Sequence, residues 1–227
     1  MAKTERKVLL FVVEGLSDKV SFEGQFVNYF STFDVQVAVM RCDVTTVVYS
    51  SQIKSYLNNR VEEFCSIEKL KKSDIKGIIH LVDTDGAFVS EGCVKQNSTD
   101  ETEYTDKEIL AKNRELIIER NKKKSMVLKT LCSMRTLAGI NYTVYFLSRT
   151  LEHVLHNRID NLSDQDKTKL SEAFDDLYAD DLPGFLTFIA DKVFAVQGDY
   201  KQTWNFIKQE TNSLKRYSNL HLLFEQN

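Results

Sequence analysis

The sequence predicts an α/β fold: a parallel four-stranded sheet flanked by helices, with an α-helical C-terminal extension. Two observations predict it. Val8 to Val13 are six apolar residues in a row, without the alternation of a half-exposed strand, as expected where helices cover both faces. Beyond them, apolar runs of strand length alternate with stretches of helical period, the order that right-handed crossovers and a parallel sheet require.

The first strand runs straight into Glu14 and Gly15, and Ser17 or Asp18 can cap the helix that follows. That helix carries Val20, Phe26, Val27 and Phe30 on one face. Phe33 to Met40 is β-branched and partly alternating, a second strand. Tyr49, Ile53, Tyr56, Leu57, Val61 and Phe64 step by three and four, a second amphipathic helix. Lys76 to Val82 forms the third strand and ends in Asp83-x-Asp85. Residues 86–106 are polar and aperiodic, and a loop of that length in a compact domain is usually functional or mobile. A basic helix, Lys112 to Lys129, turns apolar at Val127, Leu131, Met134 and Ala138, with Gly139 as its end. Tyr142 to Leu147 is the fourth strand, followed by a short helix carrying Glu152, His153 and His156. Helices are expected over about 163–178, 183–196 and 200–214, an all-α addition covering the sheet or one of its edges. The division is therefore 1–157 for the sheet domain and 158–227 for the extension.

A chain of 227 residues with 42% hydrophobic content has ample material for a core, and one proline with eight glycines leaves no room for a disordered linker. A net charge of −3 offers no global argument for nucleic acid. The charge is unevenly spread, however, because Lys112 to Lys129 holds seven basic residues. The four cysteines are scattered without a CxxC pair, which suits buried thiols in a reducing compartment. The N-terminal apolar run stops at Glu14, too short for a signal peptide or a membrane span, so a cytoplasmic protein without membrane contact is expected.

The chemistry-bearing residues are Glu14, Asp18, Asp83 and Asp85. In open parallel sheets working groups collect beyond the carboxyl ends of strands. Acids gathered there repel one another unless a cation sits between them. Two acids at i and i+2 suit one divalent ion, and hard oxygen ligands select Mg²⁺ or Mn²⁺ over zinc. The plainer alternative is that each acid caps a loop or a helix, and it is strongest for Asp18. A cation is expected between Glu14 and the Asp83/Asp85 pair; a lysine or arginine there would weigh against catalysis. His153 and His156 lie three apart on a helix but lack further soft ligands, and His80, inside a strand, reads as a core residue.

EGxxD after an apolar strand, with DxD after another about 70 residues later, resembles the Toprim domain of topoisomerases, bacterial primases and OLD-family nucleases. The resemblance spans roughly 7–157. It implies a Mg²⁺- or Mn²⁺-dependent phosphodiester site, with Glu14 in the family's glutamate role and Asp83 and Asp85 as the metal-binding pair. OLD-like nucleases carry a second acid four residues after the first, here Asp18, which implies two metals. LSRTLEHVL resembles the post-strand element of standalone Toprim defence nucleases, which implies a metal-site role for Glu152. Arg149, at the mouth of the same strand, suits neutralising a scissile phosphate. OLD-like enzymes place a lysine near this region, whereas here none lies between Lys129 and Lys167. A small standalone Toprim chain with this element resembles antiphage effectors, similar to the Toprim component of PARIS-type systems, which implies a nucleic-acid substrate, DNA or RNA. It also leaves room for a regulatory ATPase partner and for homo-oligomers.

Lys112, Arg114, Arg120, Lys122, Lys123 and Lys124 of the basic helix can track a phosphate backbone, unless the run is an ordinary solvated face. Two rival functions stand beside the nuclease. One is a non-catalytic Toprim-like module that binds nucleic acid or a partner. The other is a haloacid-dehalogenase-like phosphatase, from LVDTDGAFV, which needs a later acidic motif that only Gly198-Asp199 offers and leaves EGLSD unexplained.

Overall fold

The computed structural model describes residues 7–45 and 48–225. Strand β1 (Lys7–Val13) leads into helix α1 (Leu16–Phe30), then β2 (Val35–Arg41), α2 (Ile53–Ile67) and β3 (Ile75–Asp83). Three short strands follow, β4 (Val94–Gln96), β5 (Glu103–Tyr104) and β6 (Ile109–Ala111). Helix α3 (Arg114–Ser133) leads to the hairpin of β7 (Thr136–Leu137) and β8 (Ile140–Ser148). Helices α4 (Leu151–His156), α5 (Asp164–Tyr178), α6 (Leu182–Ile189) and α7 (Tyr200–Ile207) precede a last strand, β9 (Tyr217–Ser218). No described helix is long and apolar enough to cross a membrane.

The main sheet carries four parallel strands in the order β2-β1-β3-β8, and both faces are buried. One face packs Leu10, Val12, Ile78, Val82, Val144 and Phe146 against α2, α3 and α7. The other packs Phe11, Val13, Ile79, Leu81, Tyr145 and Leu147 against α1, α4, α5 and α6. Alternate residues of each strand thus meet different helices, which is why the strands read as unbroken apolar runs. α1 leaves β1 over one face, while α3 leads from β3 over the other. The carboxyl ends of β1 and β3 therefore flank the crevice where the winding reverses, the place at which open α/β sheets bind ligands.

The expected four strands become six. β7 and β9 each add two residues, antiparallel, at opposite ends of β8. β7 arises because α3 stops at Ser133 rather than Gly139. Ala138 (φ 51°) and Gly139 (φ 82°) make the two-residue turn with two positive φ values that a tight hairpin needs. β9 arises because β8 would otherwise present a bare edge. Asn219 Oδ1 accepts from the Phe146 N–H at 2.8 Å, and Ser218 Oγ donates to the Phe146 carbonyl at 3.0 Å.

Residues 158–227 are thus not all-helical, and they supply core side chains to both faces, including Trp204 and Phe185. α6 and α7 are shorter than their apolar patterns suggest. α1 buries Phe22, Phe26 and Phe30, leaving Val27 45% exposed. The stretch 86–106 is not structureless either, since β4, β6 and β5 form a small sheet beside α3.

Candidate functional site

Val12 pairs with His80 in the β1–β3 register, so Glu14 and Asp83 arrive at nearly the same level of the sheet. The Asp83 N–H donates to Glu14 Oε1 at 3.3 Å, and Thr45 Oγ1 donates to the same oxygen at 2.9 Å. Asp18 reaches back from the first turn of α1, where its Oδ2 accepts from the Gly15 N–H at 2.8 Å. The capping role considered for Asp18 is therefore present, yet its carboxyl also faces the site. Asp85 follows in the left-handed region (φ 47°), held by a hydrogen bond from its N–H to the Arg149 carbonyl at 3.0 Å.

Glu14, Asp18, Asp83, Asp85 and Glu152 all line one cavity of about 510 Å³ at this edge of the sheet. Two further acids share it, Asp43 from the end of β2 and Asp164 from the start of α5, with Lys167 its basic lining residue. Burial pushes Glu14 up to about 8; Lys124 opposes that shift, while Asp85, Asp43 and Asp18 add to it. Burial likewise pushes Asp18 up to about 6, against the Gly15 hydrogen bond and with Glu152 adding. Asp83 stands well above the usual carboxylate range through burial and the charges of Glu14, Asp18 and Asp85. Its Oδ1 is buried without a hydrogen-bond partner among the described residues.

Where a metal ion was expected, between Glu14 and Asp85, stands the ammonium of Lys124, the outcome that counts heavily against catalysis. This side chain is 1% exposed, bonds to Asp85 Oδ2 and stands 3.8 Å from Glu14 Oε2. The two carboxylates respond differently. Burial pushes Asp85 up, but Lys124 outweighs it and holds the carboxyl below its ordinary value, whereas Glu14 stays raised. Lys124 is thus the counter-ion of Asp85, approaching from α3 and not lining the cavity itself.

This corrects the reading of the basic helix as one phosphate-tracking face. Lys124 points into the core, and Arg120 turns inward to Tyr104 Oη (2.6 Å) and the Asp85 carbonyl (2.9 Å). Lys112 pairs with Asp100, Arg114 with Glu115 and Lys122 with Glu91, and Lys123 lies over the Tyr49 ring at 4.8 Å.

Arg149 is 6% exposed, stacks on Tyr104 with its guanidinium 4.3 Å from the ring centroid, and donates to the Ile159 carbonyl. It stands beside the acids, close enough to help lower Asp85, but it does not line the cavity. His153 Nδ1 accepts from the Arg149 N–H at 3.1 Å, so that ring nitrogen is used within the fold. His80 Nδ1 lies 2.6 Å from Tyr142 Oη inside the core, as expected.

Compared with known proteins, the chain matches no family model, no curated protein and no solved structure. Its own geometry therefore carries the functional argument. Among the described residues, no three His, Cys, Asp or Glu side chains converge tightly enough to ligate an ion as they stand. Mg²⁺ keeps much of its hydration shell and needs only one or two direct carboxylates. A hydrated hard cation thus suits an oxygen-lined cavity that holds an orphaned Asp83 oxygen. Asp199, which the phosphatase alternative needs as an acidic motif, instead caps α7 by accepting from the Gln202 N–H.

Several of these residues escaped the sequence reading. Asp43 was legible by the rule that singled out Glu14, an acid just beyond an apolar strand. Lys124 was read only as part of the basic face, although its place three and four residues before Val127 and Leu128 put it on the buried stripe of α3; its partner there was not legible. Lys167 and Thr45 carried no such signal.

Proposed function

We propose that this protein is a Toprim-type, Mg²⁺- or Mn²⁺-dependent nuclease that hydrolyses phosphodiester bonds of DNA or RNA. The observation that supports the reading best is the convergence of Glu14, Asp18, Asp83, Asp85 and Glu152, from three separate parts of the chain, on one cavity. Glu14, Asp18 and Asp83, raised by burial and by neighbouring acids, are groups a divalent cation would stabilise. Asp83, with Glu14 and Asp18, would hold the ion. Bound there, it would activate water and neutralise charge on the phosphate. The chain's own contributions are three. Glu14, whose carboxyl burial raises, would be ionised by the bound cation and would help orient the attacking water. Lys124 keeps Asp85 ionised without entering the cavity. Arg149, set on Tyr104, adds positive potential beside the developing charge. A role in phage defence, under an ATPase partner, rests on the Toprim resemblance alone.

One observation favours the non-catalytic module instead: a lysine already bridges Glu14 and Asp85. The test is incubation of purified protein with plasmid DNA, single-stranded DNA and transfer RNA in Mg²⁺ or Mn²⁺, beside Glu14→Gln and Asp83→Asn. Calorimetric titration of the metals accompanies it, because a silencing partner would suppress cleavage but not metal binding. Metal-dependent cleavage by the wild type that both variants lose supports the nuclease. If neither metal binds, the nuclease reading falls and the module replaces it.

A further inference from the structure

The loop that carries Asp83 and Asp85 has a second cleft on its far side, between residues 87–94 and α3, with a volume of about 350 Å³. Its wall includes the half-buried Phe88 ring and the apolar Ile118 side chain. Its polar groups are mainly donors. The Asn121 side chain is 5% exposed, and its Oδ1 accepts from Arg120 Nη2 at 2.7 Å and Nε at 3.2 Å. Those bonds orient the amide and leave its NH₂ without a protein partner among the described residues. Lys129, from α3, and Lys208, just past α7, line the same cleft. Neither has a carboxylate partner among the described residues; Lys208 rests over Trp204 and on Cys132 Sγ. Glu91 is the one lining acid, and Lys122 neutralises it at 2.8 Å.

We infer that this cleft binds an unpaired nucleotide of the same polynucleotide strand whose phosphate lies at the acidic cavity. The inference rests on the nuclease reading and deepens it, naming single-stranded nucleic acid as the substrate class. Charge complementarity points to a phosphate, because two lysines and an amide line the cleft and its one lining acid is already paired with Lys122. The Phe88 ring gives a base a face to stack on, which a base inside a duplex cannot reach. Phe88 is three residues beyond Asp85, so at most about 11 Å of chain separates the two clefts, within reach of neighbouring nucleotides on one strand.

The test measures binding by the full chain in EDTA, where cleavage is silent, using fluorescence anisotropy of a labelled single-stranded oligonucleotide and of its duplex. Lys129→Ala with Lys208→Ala should weaken single-strand binding about tenfold or more. It should also flatten the log–log salt slope by about 1.4, two contacts at roughly 0.7 each. Phe88→Ala should weaken binding at least about threefold while leaving the salt slope unchanged, and Lys169→Ala, on exposed α5, should do neither. Thermal melts confirm that each variant is folded.

The proposal is overturned if the double variant binds within twofold of the wild type. It is also overturned if duplex binds as tightly and loses as much, or if nucleoside monophosphates bind while the oligonucleotide does not. If oligonucleotide binding and its loss behave as expected but neither Mg²⁺ nor Mn²⁺ binds, the nuclease reading fails and the cleft stands.

Discussion

Replacing Lys124 by Met removes the buried ammonium and keeps most of the aliphatic stem. Lys124 is 1% exposed, with Asp85 as its bonded partner and Glu14 Oε2 3.8 Å away. Removing one member of a buried ion pair costs roughly 3–5 kcal/mol, because the other charge stays behind uncompensated. The Glu14 contact would be worth roughly 4 kcal/mol at an effective dielectric constant of 20 if Glu14 were ionised. A group raised to about 8 is only about one-tenth ionised at pH 7, so the Asp85 pair dominates. The expected loss for Lys124→Met is therefore about 3–5 kcal/mol. It can be read by urea unfolding in EDTA through Trp204, the one tryptophan, 2% exposed in the core. A double-mutant cycle with Asp85→Asn should give a coupling of at least about 2 kcal/mol. On the nuclease reading, Mg²⁺ at ten times the wild-type Kd should return about 1.4 kcal/mol to the wild type, and more to the variant at that same concentration. A loss under about 1 kcal/mol, or a coupling near zero, refutes Lys124 as the counter-ion of Asp85.

In EDTA at pH 7, Glu14→Gln should stabilise the protein by about 1–3 kcal/mol in urea unfolding, since it removes the cost of protonating a buried carboxyl that the unfolded chain ionises, and keeps an acceptor for Thr45 and the Asp83 N–H. His80 is buried and pushed down to about 3, so the folded state keeps it neutral while the unfolded chain takes up its proton near pH 6.5. Its contribution is thus present above pH 6.5 and is lost as pH falls toward 3, about 2 kcal/mol by pH 5. His80→Gln, which can still bond Tyr142, should show a drop between pH 7 and 5 smaller by that amount. Gly86→Ala should cost about 2 kcal/mol or more in thermal melts, because φ is +70° and the new Cβ would lie 2.5 Å from Leu214 Cδ2. Tyr104→Ala should cost about 1–2 kcal/mol and Tyr104→Phe less, because the phenylalanine ring still carries Arg149.

Much of the architecture was written in local pattern. The unbroken run Val8–Val13, the Tyr142–Leu147 strand and the acids at strand ends could be read because burial on both faces and termination at the sheet's edge leave marks along the chain. Asp83-x-Asp85 was legible as a pair, but not the difference between its members, one bound to a lysine and the other holding an orphaned oxygen. That difference comes from α3, some forty residues downstream, and depends on how the helix is rotated about its axis. The edge strand β9 and the cavity wall of α5 likewise depend on where the C-terminal segment docks.

Periodicity along one dimension thus determined the parallel sheet, its order of elements and the group of acids at one rim. Only the folded chain decided which charges face each other, because electrostatic energy depends on distance through space, and sequence spacing does not report that distance between segments far apart in the chain.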